Sequence, residues 1–106
     1  MSIEWAAGLF EGEGCIYKDK RKNVWTLQVR MTDRDVVEKF ASLMNTGNSI
    51  YDESNQPNRI KSGHKPSYRW ACSRKQEVKR ILLAMLPHFG HRRANKVLDC
   101  LDDYEL

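Results

Sequence analysis

A run of small residues, Ala6-Ala7-Gly8, leads through Leu9-Phe10 into Glu11-Gly12-Glu13-Gly14, so that two carboxylates alternate with two glycines where the run ends. If the run is helical, Glu11 and Glu13 lie at its C-terminal end, where the backbone already carries partial negative charge and cations are favoured. Such a placement is unfavourable unless something positive arrives. Gly8 and Gly12 stand four apart, which on a helix makes one face nearly free of side chains, and another backbone can then approach closely. If that backbone is the same helix of a second copy, with Ala7, Gly8, Glu11 and Gly12 at the contact, the two Glu13 carboxylates face each other near a twofold axis. Like charges so placed raise a pKa or recruit a cation, and hard oxygen donors suit Mg²⁺ or the related Mn²⁺. Two blander readings compete: Gly8 and Gly12 as a close contact within one chain, and Glu13 as a hydrated turn residue.

The rest of the charge distribution points to a polyanion. The chain has 106 residues, 41% apolar and 30% charged, with a net charge of +4. Between Arg59 and Lys96 the basic residues are Arg59, Lys61, Lys65, Arg69, Arg74, Lys75, Lys79, Arg80, Arg92, Arg93 and Lys96, against the single acid Glu77. A nucleic acid explains that imbalance best; the competing reading is a solvated basic surface. His88 and His91 share a spacing suited to one helix face but have no third ligand nearby, so a zinc site is not expected. Cys15, Cys72 and Cys100 form no CxxC pair and are read as reduced packing residues.

The elements that must position these groups can be read from periodicity. Ser2 caps a first helix with Glu4 in its first turn, and Gly12 and Gly14 end it. Residues 15–20 read as a strand and 19–23 as a turn. Over 25–31, Trp25, Leu27, Val29 and Met31 share one strand face while Thr26, Gln28 and Arg30 share the other. Thr32 or Asp33 starts a second helix with Val36, Val37, Phe40, Leu43 and Met44 at helical spacing. Residues 49–52 suggest a third strand, 53–66 a polar loop, and 68–72 a fourth strand with Tyr68, Trp70 and Cys72 opposite Arg69. Helices follow over 76–86 and 92–104, separated by Pro87-His88-Phe89-Gly90. Trp25, Trp70, Tyr68 and Phe40 belong to the core, and the acids Asp99, Asp102, Asp103 and Glu105 to a solvated helix face. The expected fold is α+β in one domain over 1–106, a four-stranded antiparallel sheet with helices on one face. Its bare face carries Gln28, Arg30, Arg69 and the hairpin cations Lys20, Arg21 and Lys22. No run of apolar residues is long enough to span a membrane. Glu4 and Glu11 interrupt any secretory leader, so the expected setting is intracellular: a bacterial or phage-infected cytoplasm, or an organelle.

The stretch Ala6-Ala7-Gly8-Leu9-Phe10-Glu11-Gly12-Glu13-Gly14 resembles the signature of the LAGLIDADG homing endonucleases, with Glu for Asp at both acidic places, Ala6 for the first Leu and Gly12 for the second Ala. The element order is similar to that family's αββαββα core with an additional C-terminal helix. Residues 29–37, Val-Arg-Met-Thr-Asp-Arg-Asp-Val-Val, resemble its strand-to-helix junction, and residues 83–98, containing Leu-Pro-His-Phe-Gly-His-Arg-Arg-Ala-Asn, its C-terminal signature. One motif per chain implies a homodimer that cleaves both strands of a long, partly palindromic duplex across its minor groove. By the same resemblance Glu13 is the metal-binding carboxylate, the Gly12 carbonyl a backbone ligand, and Glu11 a support for the helix end and the partner. A polar group near the attacking water falls to Arg30 or Thr32 and a basic one to His91 or Arg92.

The expected function is then homodimeric, Mg²⁺- or Mn²⁺-dependent, site-specific cleavage of double-stranded DNA. Thr26, Gln28, Arg30 and Arg69 read bases in the major groove, where Arg suits guanine and Gln adenine. Lys18, Lys20, Arg21 and Lys22 approach from the hairpin, and Lys61, Lys65, Arg74 and Lys75 hold the backbone. The first rival is a non-cutting DNA-binding protein, or an intron-splicing maturase with intron RNA as partner. A more distant one is an RNA-binding sheet whose aromatics stack bases.

Overall fold

A computed structural model describes residues 2–47, 50–53 and 67–105. Helix α1 (Ile3–Glu13) begins at Ser2, whose hydroxyl accepts a hydrogen bond from the Trp5 N–H, a cap worth about 1 kcal/mol. It runs through Gly12 to Glu13 and is capped by Gly14, the second of the two glycines expected to end it. A side chain at Gly14 is impossible: a Cβ there would lie 2.5 Å from the Phe10 ring and carbonyl. Strands β1 (Gly14–Asp19) and β2 (Val24–Met31) form a hairpin. Asp19 organises its turn by accepting from the Arg21 and Lys22 N–H groups, and Asn23 adopts a left-handed conformation at φ 55°.

Helix α2 (Arg34–Met44) starts after Asp33 and stops at the left-handed Asn45. The short strand β3 (Tyr51–Asp52) precedes β4 (Tyr68–Cys72), and the sheet order is β1-β2-β4-β3, antiparallel throughout. Helix α3 (Lys75–Met85), a 3₁₀ turn over Leu86–His88 and helix α4 (His91–Glu105) complete the layer. This is the expected α+β architecture of four antiparallel strands covered on one face by helices.

Strand parity sorts the side chains. Ile16, Leu27, Cys72, Val29, Trp70 and Met31 face the helices, in registered pairs Ile16↔Leu27, Leu27↔Cys72 and Val29↔Trp70. Their core is built around Phe10, Phe40 and Trp70, with Phe40 edge-on to Trp70 at 5.0 Å. Ala6, Ala7 and Phe10 bring α1 into it. The opposite face presents Cys15, Tyr17, Thr26, Gln28, Arg30, Arg69 and Ala71, and no described helix covers it. Cys15 is therefore exposed rather than packed, because β1 places Ile16 and not its neighbour inward. Tyr68 is half-buried, while the other three expected core aromatics are buried.

Candidate functional site

The end of α1 resolves the electrostatic question that its acids raise, and it does so with a residue the sequence reading passed over. Arg93 of α4, 9% exposed at its side chain, donates from Nη2 to the carbonyls of Glu11 and Gly14, both at 3.1 Å. Its Nε lies 3.5 Å from Glu11 Oε2, and its guanidinium sits over the Phe10 ring at 5.3 Å. Glu11 Oε1 accepts the Gly90 N–H at 3.0 Å. A buried cation thus meets the helix's negative end, as the macrodipole requires. The expectation that metal alone supplies that charge needs correction for Glu11, which is answered within the chain.

Glu13 is not answered. It is exposed, and among the described residues it has no hydrogen-bond or ion-pair partner. The Gly12 carbonyl likewise receives no hydrogen bond among them. Two adjacent oxygen donors at a helix end fit a hard divalent cation, but such ions take about six oxygens or more. No cluster of three His, Cys, Asp or Glu ligands occurs among the described residues. Among the described residues these two oxygen donors therefore stand without a third ligand.

Gly8 and Gly12 lie open on the outer side of α1: a Cβ at either meets nothing within 4 Å. Among the described residues, close packing does not explain them. Ala7, expected beside them at a dimer contact, is fully buried in the protomer's own core. One residue along a helix turns about 100°, so Ala7 and Gly8 face apart.

A cleft of about 420 Å³ beside this helix end is lined by Gly14, Cys15, Ile16, Arg92, Arg93 and Lys96. Of the two basic candidates, Arg92 lines it and His91, exposed at the start of α4, does not. Lys96 joins the cleft, with its ammonium over the Trp25 ring at 5.4 Å. Because Gly14 pairs with Val29, Glu13 and Arg30 flank the last paired residues at the same end of the sheet.

Arg30 does not project freely from there. Its Nε donates to Glu53 Oε1 at 2.9 Å and its Nη2 to Oε2 at 3.4 Å. Arg69, directly opposite in register, brings its Nε within 3.6 Å of the same Oε1. Toward the hairpin, a groove of about 470 Å³ is lined by Tyr17, Asp19, Lys22, Thr26, Arg69 and Arg74 among others. Thr26, Gln28, Arg30 and Arg69 are thus together on the open face, and exposed Lys20, Arg21 and Lys22 border it.

Several expected nucleic-acid contacts lie elsewhere. Lys18 pairs in register with Trp25, on the helix side of the sheet, and its Nζ is 2.9 Å from Asp103. Asp103 also accepts from Trp25 Nε1 at 2.7 Å, so it is not a merely solvated tail residue. Hydrogen bonds from Lys18 and then Trp25 hold its carboxyl below the usual range. The Lys75 ammonium lies over the Tyr104 ring. Arg74, although it lines the groove toward the hairpin, donates to the Thr46 carbonyl, and Arg80 donates to that of Met44 at 2.6 Å, so two cations of the basic stretch also serve the chain near the end of α2. Lys61 and Lys65 fall outside the described residues.

The signals for what was missed are uneven. Arg93 stands four before Val97 and seven before Cys100, the buried stripe of α4, and that spacing marks it as inward-facing. Glu53 has no local signature; only the pairing of β2 with β4 and β3 brings it to two arginines.

Comparison with solved structures supports the fold. The homing endonuclease I-CvuI, crystallised with its target in the presence of Ca, superposes with a TM-score of 0.69 at 15% identity over 98% of this chain and 66% of that one. A second I-CvuI structure, with the I-CreI target in the presence of Mg and the DNA not cleaved, gives 0.68 at 14% identity, covering 96% and 65%. The homing endonuclease I-TnaI gives 0.66 at 14% identity, covering 96% and 70%. The chain therefore spans about two thirds of the length of these neighbours. No curated protein matches it in sequence. The model of the LAGLIDADG-like domain matches residues 3–83, most of the chain and all of the motif helix, sheet and α2. By that match over more than half of its length, the chain belongs to the LAGLIDADG-like domain family.

Proposed function

We propose that this protein is a homodimeric, divalent-metal-dependent endonuclease that cuts both strands of a long, partly palindromic DNA site. The observation that carries the reading is that, among the described residues, Glu13 and the neighbouring Gly12 carbonyl have no partner and the glycine face of their helix has no neighbour. A second α1 against that face brings a second such donor pair, which is what an incomplete oxygen shell needs.

A divalent cation bound there, Mg²⁺ or Mn²⁺, supplies Lewis-acid polarisation of the scissile phosphate and a more acidic water. The chain's own residues do the rest. Glu13 and the Gly12 carbonyl hold hard oxygens toward the ion. Arg93 fixes the helix end from which they project. Arg92, lining the adjacent cleft, offsets charge that accumulates on the phosphate. Gln28, Arg30, Arg69 and Thr26 form a polar strip broad enough to meet base edges in the major groove, while Lys20, Arg21 and Lys22 reach phosphates.

The test is cleavage selection from a randomised duplex library with Mg²⁺, comparing the parent with Glu13→Gln. The expected result is a selected site about two helical turns long, with cutting lost in the variant and binding kept. Equal cutting by both proteins removes Glu13 from the mechanism. Tight, selective binding without any cut by the parent identifies a non-cutting DNA-binding protein or maturase instead.

A further inference from the structure

Arg30 and Arg69 stand directly across from one another on β2 and β4, an arrangement that is unfavourable for like charges. Between them lies the Glu53 carboxylate, 8% exposed at its side chain, the single buried acid among the described residues. Its backbone is pinned too, since the Glu53 N–H donates to the Ser67 carbonyl at 2.9 Å at the start of β4. We infer that Glu53 is a specificity-determining residue: it locks Arg30 and Arg69 into one fixed pose on the sheet, so that the pair reads guanine edges instead of following phosphates. The inference rests on the DNA-binding reading above.

The donor arithmetic supports it. Arg30 directs Nε–H and one Nη2 hydrogen at Glu53. Of five guanidinium donors, three remain, on Nη1 and the far side of Nη2. That end is a two-pronged donor, the pattern that matches O6 and N7 of guanine. Arg69 is held differently, with Glu53 beside its Nε and its guanidinium 4.5 Å over the Tyr51 ring. Both side chains stay partly exposed, 44% for Arg30 and 27% for Arg69, so their free ends reach a ligand. An unbuttressed arginine swings to the nearest phosphate; a buttressed one keeps its direction, which is the condition for base discrimination. The carboxylate also removes one positive charge from the face and so weakens sequence-independent binding.

Binding selection from a duplex library with randomised half-sites tests this, run on the intact protein as parent, Glu53→Gln and Tyr51→Leu, with the salt dependence of binding to random duplex measured alongside. The parent is expected to prefer guanine at two positions per half-site, by about tenfold to a hundredfold each. Glu53→Gln, near-isosteric, is expected to flatten those two positions alone, to tighten binding to random duplex and to steepen its salt dependence. Tyr51 is half-exposed, so Tyr51→Leu keeps the fold and is expected to relax only the position read by Arg69. A structural role for Glu53 lowers the melting temperature without moving base preference or salt slope, and that result refutes the inference, as does equal flattening at every position. A parent that selects no duplex site overturns the endonuclease reading and this inference with it. A parent that selects a site from which Glu53→Gln is indistinguishable overturns the inference alone.

Discussion

Replacing Arg93 by methionine asks how much of the fold depends on one buried charge. The methionine stem keeps most of the packing on Phe10 but removes two donations to the Glu11 and Gly14 carbonyls. Hydrogen bonds from a charged donor contribute about 1.5 kcal/mol each at the lower end of their range. A cation at a helix C-terminus adds roughly 0.5 to 1 kcal/mol. The Glu11 side chain is 38% exposed, so its ion pair at 3.5 Å is discounted for screening, although the Oε2 facing Arg93 is itself buried. Relief from burying a guanidinium works in the other direction. The net loss expected is about 3 kcal/mol, read as a fall of roughly 12 to 24 °C in melting temperature for a domain of this size. Denaturation should be followed at one fixed protein concentration, because dimerisation would shift it. Arg93→Lys, which keeps charge but not the fork, should lose about half as much. Since the interaction is buried, the deficit should persist in 1 M NaCl, where a surface pair is screened. A loss under about 1 kcal/mol, or one abolished by salt, refutes the assignment of Arg93 as the clamp on the motif helix.

Other perturbations have clear signs. Gly8→Ala should favour the isolated helix by up to about 1 kcal/mol, since its Cβ meets nothing. Sedimentation should nevertheless show weaker self-association if that face is the contact, and a unchanged or tighter association removes Gly8 from the interface. Asp103 has its carboxyl lowered by Lys18 and Trp25, so its stabilisation is present above the unfolded value near pH 4 and is lost as pH falls through the lower folded value. Asp103→Asn should therefore be less stable than the parent at pH 6 and converge with it toward pH 2 in thermal melts; parallel curves throughout refute the tie. Burial pushes the Cys100 thiol up to about 11 and raises that of Cys72, while Cys15 is exposed. Brief alkylation of the native protein at pH 8, mapped by peptide mass, should modify Cys15 alone; equal labelling of Cys100 contradicts the fold at α4.

How much was legible follows from which interactions are local. The clean alternation over Trp25 to Met31 identified both faces of β2, and the Ser2 cap and the apolar spacing of Val37, Phe40 and Met44 marked their helices. Strand β1 misled, because Cys15, Ile16, Tyr17 and Lys18 do not alternate by polarity. Lys18 faces the helix layer with its stem along apolar surface and its ammonium on Asp103, which a polarity pattern cannot reveal. The motif helix was readable as acids and glycines, but its burial pattern set Ala7 inward and left Gly8 and Gly12 outward. Helix periodicity marks Arg93 as inward-facing, but its partner Gly14 and Glu53's partner Arg30 lie 79 and 23 residues away, where no local pattern names them.

Helix α4 closes the molecule from two sides. Arg93 fastens its beginning to α1, while Asp103 and Tyr104 near its end receive the indole and backbone N–H groups of Trp25. During synthesis on the ribosome, the first hairpin can pair Trp25 with Lys18, but the acceptors on Asp103 and Tyr104 arrive only when the end of α4 has emerged. Completion of this fold consequently waits for α4, and a nascent chain stalled within it offers a chaperone the apolar side of that hairpin.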